Sequence, residues 1–396
     1  MGLLLRAVDF AGPMRWRWLV TDEDTGELVT DHQVDLESVP GEVARFQDLY
    51  GYARSYAAPD RPVEDGARIV ADAGAWAGHA LLGEAVGAAI VAAAPVTVRV
   101  AVPVVAESVL LWPMELAHVG GRPLAARGDV AFVYEIGNHV GRASESGGAG
   151  GAAERKDVVG GALRILALFS QPMRTNVLAL RRERYALGRL IRRIAARERA
   201  VVELRVAQYG ATRERLAEIA EDGDGWDVLH LSGHGAGGMF LLEKSDGSPD
   251  PVSTADLVGL LRRGQQRVKL AVVLACESAA NATVQTLRLI GLEEQADALE
   301  TAESGANEQR PAQVPGLAQV LVRELGCAVV AMRYPVTDEF AIRFGDMFYE
   351  RLLSRQQSID VAMARAVAEA AKPAPSASLP SGRVRPTEIG TDPRQA

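Results

Sequence analysis

Residues 162–372 alternate short apolar runs with longer stretches in which apolar residues recur every three or four positions. The apolar runs have the length and composition of buried β-strands: 163–169, 227–231, 270–275 and 327–332. Helical spacing marks the stretches between and after them: 175–199, 212–221, 254–263, 316–325, 338–353 and 359–371. This order predicts an α/β fold, with a mostly parallel sheet that helices cover on both faces.

The first 135 residues carry a different pattern. Residues 14–36 alternate, with Trp16, Trp18 and Val20 on one face and a turn at 24–26, so a β-hairpin is predicted. The segments that follow have these expected structures: helices at 41–57 and 65–94, and strand-like runs at 96–102, 104–112 and 130–134. We therefore expect a smaller half, opened by an N-terminal hairpin, before the main sheet.

Composition divides the chain further. Residues 138–161 are rich in glycine, alanine and serine, which is typical of a flexible linker. Residues 373–396 are rich in proline and serine and predict a disordered tail or linker, because they cannot bury a core. The expected segments are a hairpin and helix region (1–64), the smaller half (65–137), a linker (138–161), the main α/β core (162–372) and a tail (373–396).

Charge and cysteine content exclude several classes of protein. The chain has 396 residues and a formal net charge of −8, so no basic footprint for nucleic acid covers it as a whole. Two cysteines, Cys276 and Cys327, are too few for a disulfide framework or a cysteine-rich zinc site. No metal or cofactor is expected, since four histidines show no metal-ligand spacing: His32, His79, His118 and His139.

The apolar stretches are too short to predict a membrane span or a leader. The uncharged run 85–98 has 14 residues, whereas a spanning helix needs about 20. Three leucines precede Arg6, which is fewer than the roughly 7–15 apolar residues of a signal peptide. We therefore expect a cytoplasmic protein with no membrane partner and with reduced thiols.

Two predicted strands end in residues that suit nucleophilic catalysis. His234 follows the strand at 227–231 after two residues, and Cys276 directly follows the strand at 270–275. Because the carboxyl ends of parallel strands meet at one edge of a sheet, we expect both side chains there. A neighbouring histidine can convert a cysteine into the reactive thiolate at neutral pH. The N–H groups of Gly235 and Cys276 could then form an oxyanion hole.

These residues also have ordinary structural explanations. Free cysteine is among the most buried residue types, so Cys276 by itself fits a core thiol, and Cys327 is expected to be one. His230 lies between two leucines of an apolar strand, which favours a hydrogen-bonded core histidine. Residues 233–238 fit the pattern G-x-G-x-x-G, but a strand is predicted after them, and a dinucleotide site needs a helix there.

An arginine-rich stretch at residues 174–199 is the strongest local excess of positive charge. It holds nine arginines against two acidic residues, and its apolar residues recur on one helical face. Thr175 or Asn176 is expected to cap this helix, which ends near Arg199. The ordinary interpretation is a solvated helix face, and the alternative is a docking surface for an acidic partner or nucleic acid.

Further motifs occur in a fixed order around these strand ends: 110–116 (LLWPMEL), 163–169 (LRILALF), 316–318 (GLA), 336–341 (VTDEFA) and 348–349 (FY). Together with His234 and Cys276 they resemble the CHAT domain, a caspase-related cysteine peptidase domain, over about residues 70–372. The catalytic histidine of that family matches His234, and its nucleophile matches Cys276. The resemblance implies a caspase-like sheet, preceded by an inactive caspase-like half.

By this resemblance the chain is expected to be a caspase-like cysteine endopeptidase that hydrolyses protein substrates without a cofactor. Members of the family are commonly coupled to sensing NTPases or repeat domains in bacterial defence and regulated cell death. The resemblance therefore implies a bacterial effector with a regulator of one of these kinds. A nucleic-acid partner is not expected for the chain as a whole, because its net charge is −8. The alternative is a catalytically silent, caspase-like scaffold for protein interactions. A further alternative is a zymogen, a peptidase that is silent until a partner or trigger orders its loop.

Three residues near the predicted pair are candidates for the substrate pocket. Glu277 follows the nucleophile where the caspase signature is absent, so the acidic cleavage preference of caspases does not carry over. Arg333 lies before Tyr334, where the family often has tryptophan, on a strand that borders the pocket in this fold. Asp338 either lines the pocket or starts a helix.

The segment between Cys276 and Gly316 is long and polar. Residues 293–310 contain six acidic residues and one arginine. In caspase-like folds, changes on activation occur after the nucleophile. Our hypothesis is that 285–312 is a regulatory or processing loop, and the alternative is a surface insertion that contains a helix.

Overall fold

The computed structural model describes most of the chain as two sheets with helices packed against them. The described residues are 2–47, 49–56, 62–135, 162–173, 175, 177–221, 225–236, 239–262, 268–275, 316–334 and 336–372. Several predictions fall outside them and stay predictions: the linker 138–161, the loop 285–312, the tail 373–396, Asn176, Cys276 and Glu277.

The first sheet has five strands in the order β3-β2-β1-β4-β7. β1 pairs antiparallel with β2, and β2 antiparallel with β3, whereas β1, β4 and β7 run parallel. A separate ribbon consists of β5 and β6. The bounds are β1 Gly2–Gly12, β2 Arg15–Asp22, β3 Leu28–Asp35, β4 Val96–Ala101, β5 His118–Val119, β6 Arg122–Pro123 and β7 Val130–Glu135.

The predicted hairpin is confirmed as β2 and β3. Trp16, Trp18 and Val20 are buried on one face, as their alternation predicts. Asp22 closes the turn, because its Oδ1 accepts hydrogen bonds from the backbone N–H groups of residues 24 and 25 at 2.9 and 2.8 Å. Gly26 completes the turn at a φ of +73°.

The strand β1 was not predicted, although its signal is in the sequence. Leu3, Leu5 and Ala7 alternate with more exposed neighbours and are buried, which is the period of a strand. β1 pairs with β2 on one side and β4 on the other. The predicted segments 1–64 and 65–137 therefore contribute strands to one sheet.

Five helical segments connect the hairpin to β4 within the described residues. They are α1 Pro40–Phe46, α2 Leu49–Tyr56, α3 Pro62–Trp76, a π-helical turn Ala77–Leu82 and α4 Glu84–Ala92. The chain bends by 97° between 65–82 and 84–92, at Gly83, whose φ is +80°. No single helix among the described residues is long and apolar enough to span a membrane, and only this bent pair meets that test jointly.

The predicted strand at 104–112 is wrong, because Val104–Leu111 is a 3-10 helix. Pro103 and Pro113 flank the segment, and Ala106 and Val109 are buried at a spacing of three, the period of a 3-10 helix. The run of apolar residues hid this period. The predicted strand at 130–134 is confirmed as part of β7, and Leu124–Ala126 before it is another 3-10 turn.

The second sheet has five parallel strands in the order β15-β14-β10-β8-β9. Alternate residues of its strands face opposite apolar cores. The prediction of a mostly parallel sheet covered by helices on both faces is confirmed. The strand bounds are β8 Leu163–Ser170, β9 Val202–Gln208, β10 Val228–Gly233, β11 Gly235–Ala236, β12 Met239–Glu243, β13 Pro249–Ser253, β14 Leu270–Ala275 and β15 Ala328–Ala331.

Six helices of the described chain cover this sheet. Those that contribute to one core are α6 Arg213–Glu221, α7 Thr254–Leu261 and α8 Leu317–Leu325. Those that contribute to the opposite core are α5 Leu180–Glu198, α9 Asp338–Tyr349 and α10 Ile359–Ala370. Ser253 caps α7, by accepting a hydrogen bond from the N–H of Asp256 at 3.1 Å.

The start of α5 differs from the prediction. The helix begins at Leu180, with Ala179 at its N-cap position. Thr175 is not the cap, because its hydroxyl donates to the carbonyl oxygen of Pro172 at 2.7 Å and so belongs to the preceding loop. The sequence pattern could not distinguish a helix cap from a loop contact of the same side chain.

The two halves of the chain, residues 2–135 and 162–372, contact each other through α10 and through residues near the edge strand β15 of the second sheet. The helix α10 packs against β7. Polar pairs also cross between the halves: Thr97 with Asp360, Glu107 with Arg323 and Glu115 with Arg333. The first half is therefore joined to the second by both apolar packing and ion pairs.

Candidate active site

The central strands of the second sheet are aligned at their carboxyl ends. Gly233, the last residue of β10, pairs with Ser170 of β8 on one side and with Ala275 of β14 on the other. His234 follows directly and is buried, with 8% of its surface exposed. Cys276 is the next residue in the chain after Ala275 and lies outside the described residues. The structure thus describes one member of the predicted pair and the strand that leads to the other.

The backbone after His234 turns into a small antiparallel sheet of β11, β12 and β13. The N–H of Leu241 donates to the carbonyl oxygen of His234 at 3.0 Å, and Gly235 lies opposite Phe240. In an antiparallel ladder this places Gly235 at a non-hydrogen-bonded position, so its N–H points away from β12. The strand β12 follows the glycine-rich residues, as predicted, where a dinucleotide site would need a helix.

The strand end before His234 leaves no space for a side chain at Gly233. A Cβ atom there would lie 2.8 Å from the carbonyl oxygen of Ser170 and 3.1 Å from the ring of Phe240. Glycine therefore allows β10 to approach β8 and the small sheet closely at this point. The backbone that carries His234 is held by this packing.

A buried hydrogen-bond network lies beside this strand end, between β10, α5 and α9. His230 bonds through Nε2 to Oε1 of Glu183 at 2.9 Å and through Nδ1 to the hydroxyl of Tyr349 at 3.1 Å. Ser232 donates to Oε2 of Glu183 at 2.8 Å. The prediction of a hydrogen-bonded core histidine at His230 is confirmed. Burial raises the pKa of Tyr349, so this hydroxyl stays protonated at neutral pH.

Glu183 was not predicted as a site residue, although the sequence carries a signal for it. The residue lies among the arginines of α5, but at the helical spacing of the buried Leu180 and Leu187. An acidic residue on an apolar face needs a buried polar partner. Its partners, His230 and Ser232, are 47 and 49 residues away in the chain, so the pairing itself could not be read from local spacing.

Arg333 contacts the first half of the chain. Its Nε donates to Oε1 of Glu115 at 2.9 Å, and its Nη1 donates to the carbonyl oxygen of Leu110 at 2.9 Å. The hydroxyl of Tyr134 donates to the other oxygen of Glu115 at 2.6 Å. Burial is the largest single effect and lowers the pKa of Arg333, but the charges of Glu115, Tyr134 and Tyr334 and the hydrogen bond to Glu115 together outweigh it and raise the pKa, so the guanidinium stays charged. A substrate contact by Arg333 stays a prediction.

Asp338 is the first residue of α9. Its Oδ2 accepts a hydrogen bond from the N–H of Ala179 at 2.8 Å, directly before α5 begins. The structure therefore shows the second of its two predicted roles, at the start of a helix, and adds a tie between two helix N-termini. Its role in a substrate pocket stays a prediction.

The arginine-rich face of α5 is exposed. Part of its charge is balanced within the chain, since Arg193 and Arg197 pair with Glu350 at 3.3 and 3.0 Å. The guanidinium of Arg189 lies over the ring of the exposed Tyr185, 5.9 Å from its centroid. The docking surface on this face stays a prediction.

Cys327 is the cysteine that lies among the described residues. Cys327 is buried and unpaired before β15, and burial raises its pKa to about 11. This confirms the prediction of a core thiol for Cys327 and makes it unreactive near neutral pH. Among the described residues, no group of three or more His, Cys, Asp or Glu side chains is arranged to hold a metal ion.

Comparisons with known proteins give a family and 13 matching chains among solved structures. No curated protein matches the chain. The crystal structure of the Arg-specific cysteine proteinase gingipain R is similar at 11% identity and a TM-score of 0.37, over 85% of this chain and 72% of that one. A likeness of that size carries no conclusion about chemistry. The model of the CHAT domain matches residues 79–378, well over half of the chain. The chain therefore belongs to the CHAT domain family.

Proposed function

We propose that this protein is a caspase-like cysteine endopeptidase in which Cys276 and His234 form the catalytic dyad. The observation that supports it best is the register of β10 and β14, which pairs Gly233 with Ala275. Each of the two proposed catalytic residues is the next residue after one member of this pair. Strand ends that are level in a parallel sheet bring the following residues to the same edge, where such sheets bind their ligands.

In the proposed reaction, the Cys276 thiolate attacks the carbonyl carbon of a peptide bond and forms a tetrahedral intermediate. His234 then protonates the departing amine, which leaves a thioester on Cys276. Water, deprotonated by His234, hydrolyses the thioester and regenerates the thiol. This scheme uses no metal and no cofactor.

The N–H groups of Gly235 and Cys276 are proposed to bind the oxyanion of the intermediate. The direction of the Gly235 N–H supports this role, because the ladder with β12 leaves it pointing away from that strand. Arg333, Asp338 and Glu277 are proposed as neighbours of the substrate pocket. For Arg333 this requires part of its guanidinium to contact substrate beyond its bonds to Glu115 and Leu110.

Selective alkylation with iodoacetamide tests the dyad without knowledge of the substrate. The chain has two cysteines, and the buried Cys327 acts as an internal control with a pKa of about 11. We expect Cys276 to react quickly at pH 7, with an apparent pKa well below the ordinary value of about 8.5. His234→Ala should return that apparent pKa to about 8.5. The exposed His79, changed to alanine, is the matched control and should have no effect.

Cleavage of a proteome-derived peptide library, with new N-termini identified by mass spectrometry, then tests hydrolysis. We expect cuts with the wild-type protein and none with Cys276→Ala. Rapid, His234-dependent alkylation without cuts would support a zymogen that awaits its activator. Alkylation at an ordinary pKa that is insensitive to His234 would contradict the dyad and favour the catalytically silent scaffold.

The family resemblance supports a wider proposal, in which this peptidase is an effector in bacterial defence or regulated cell death. Its regulator would be a sensing NTPase or a repeat-domain protein. Cys276→Ala separates this proposal from the scaffold: the biological effect is lost with the substitution if the protein acts as a peptidase, and persists if it acts as a scaffold.

A further inference from the structure

A buried carboxylate joins the end of β12 to two loops at the edge of the sheet where His234 lies. Glu243 is the last residue of β12 and is 7% exposed. Its Oε1 accepts a hydrogen bond from the N–H of Gln171 at 3.1 Å, and its Oε2 accepts one from the N–H of Gly210 at 2.6 Å. A third, longer bond reaches Oε2 from the N–H of Ala211 at 3.4 Å. One side chain therefore holds the segments that follow β8 and β9.

The backbone of Glu243 binds the same region. Its N–H donates to the carbonyl oxygen of Ala211 at 3.0 Å. The side chain and main chain of Glu243 thus fix the end of β12 to the chain after β9 through separate bonds. Burying the carboxylate costs free energy. The N–H groups that donate hydrogen bonds to both of its oxygens offset this cost.

The loop after β8 is built around the residue that Glu243 holds. The side chain of Gln171 accepts a hydrogen bond from the N–H of Leu178 at 3.0 Å and donates one to the hydroxyl of Thr175 at 2.9 Å. At the far end of the loop, Asp338 accepts from the N–H of Ala179. A different carboxylate therefore holds each end of loop 171–179: Glu243 at Gln171 and Asp338 at Ala179. The loop begins next to the end of β8, which pairs with Gly233.

A short path of backbone connects Glu243 to His234. The N–H of Leu241, two residues before Glu243 on the same strand, donates to the carbonyl oxygen of His234. Two residues of strand span about 7 Å. Gly235 lies opposite Phe240 on this strand, so the position of β12 also sets the direction of the Gly235 N–H.

We infer that Glu243 is a positioning residue of the proposed active site: it locks β12 and loop 171–179 together, and so fixes the backbone of His234 and the N–H of Gly235 at the carboxyl end of β10. The inference rests on the proposed function of His234. It does not require Glu243 to touch substrate or to exchange a proton.

The substitution Glu243→Gln tests this with almost no change of volume. Glutamine replaces one acceptor oxygen by an NH2 group, which would then face a backbone N–H that has no acceptor. Asp250→Asn is the matched control, because Asp250 lies on the adjacent strand β13 and its carboxylate bonds to the side chain of Arg213 at 2.7 and 3.0 Å. The control removes a carboxylate of the same small sheet whose described bonds go to the side chain of a helix residue, and not to the backbone of the loops after β8 and β9.

We expect Glu243→Gln to lower kcat for peptide cleavage about tenfold or more with less than a threefold change in KM, since small displacements of catalytic groups are costly. Asp250→Asn should change kcat less than threefold. Glu243→Asp, which keeps both oxygens, should recover part of the loss and supplies the test if the glutamine variant fails to fold. Equal kcat values for the Glu243 and Asp250 variants, measured on folded protein, would overturn the inference.

A second measurement separates this inference from the proposed function. NMR of protein labelled at histidine Cε1, with the His234 signal assigned from His234→Ala, follows the titration of its imidazole. We expect Glu243→Gln to shift or broaden this titration while Asp250→Asn leaves it unchanged. If wild-type protein cleaves nothing and its Cys276 alkylates at an ordinary pKa, the peptidase proposal fails, but this titration still shows whether Glu243 positions His234. An unchanged His234 titration in Glu243→Gln refutes the positioning role.

Discussion

Replacing Arg333 with methionine removes the charged partner of Glu115 across the contact between the two halves of the chain. Methionine fills a similar apolar volume but donates no hydrogen bond. The carbonyl oxygen of Leu110 would lose its bond to the guanidinium, and Glu115 would keep only the hydroxyl of Tyr134. The substitution thus leaves a partly buried carboxylate with one of its two described side-chain partners.

The exposure of the pair sets the size of the effect. The side chains of Arg333 and Glu115 are 17% and 25% exposed. Removing one partner of a fully buried pair costs about 3–5 kcal/mol, whereas exposed pairs are worth about 0–1 kcal/mol. The loss at the Leu110 carbonyl adds to this, at about 1–3 kcal/mol for an unsatisfied buried group. We expect Arg333→Met to lower the free energy of unfolding by about 3 kcal/mol.

A double-mutant cycle with Glu115→Gln measures the pairwise part by urea unfolding. Fluorescence and circular dichroism should be followed together, so that a single transition is verified before free energies are compared. We expect a coupling energy of about 2 kcal/mol. Arg262→Met is the control, because Arg262 and Glu324 are 45% and 47% exposed and should lose less than about 1 kcal/mol.

Two results would refute this account of Arg333. Additive effects within about 0.5 kcal/mol would show that Arg333 and Glu115 do not stabilise each other. Unchanged stability combined with a changed cleavage preference in the peptide library would instead favour the prediction that Arg333 contacts substrate. The same variant therefore decides between the two roles.

Three further outcomes are expected. Gly233→Ala should cost about 1–3 kcal/mol of stability, because its Cβ would lie 2.8 Å from a carbonyl oxygen; urea unfolding against Gly188→Ala, whose Cβ meets nothing within 4 Å, measures it. The folded pKa of Cys327, about 11, exceeds the ordinary 9.0, so wild type should lose up to about 3 kcal/mol relative to Cys327→Ala as pH rises from 9 to 11, and nothing below pH 9. Tyr349→Phe should cost about 1 kcal/mol and shift the NMR signal of His230; an unchanged signal would contradict the bond between them.

The second sheet could be predicted in large part because four of its five strands are short apolar runs bounded by helical spacing, whereas the edge strand β9 carries charged residues at alternate positions. The strand 270–275 was located to the residue, and 327–332 and 163–169 to within two residues of their observed bounds. Strands that are buried on both faces carry this signal in every residue. In the first sheet the signal is weaker: β1 shows it only in alternate positions, and the 3-10 helix 104–111 shows an apolar run that resembles a strand.

Of the candidate site, only the residues that directly follow a predicted strand could be predicted from the sequence. His234 needed no knowledge of distant contacts, because its position follows from the end of β10. Glu183 and Glu243 could not be found in this way, since their partners lie 32 to 72 residues away along the chain. Each is an isolated acidic residue in the sequence, and its role arises from loops and helices that the sheet brings together.

These buried acids differ from the predicted dyad in what they bind. Glu183 bonds to side chains of β10 that come before His234, and Glu243 bonds to backbone N–H groups of the loops around it. The backbone of His234 is therefore fixed on one side by β10, which precedes it, and on the other side by β12. A dyad requires its two side chains to lie within hydrogen-bond distance of each other. A histidine whose backbone is held from both sides has little freedom to move its side chain out of that distance. This is the physical reason to expect kcat to fall when Glu243 is changed, although Glu243 itself does not take part in the chemistry.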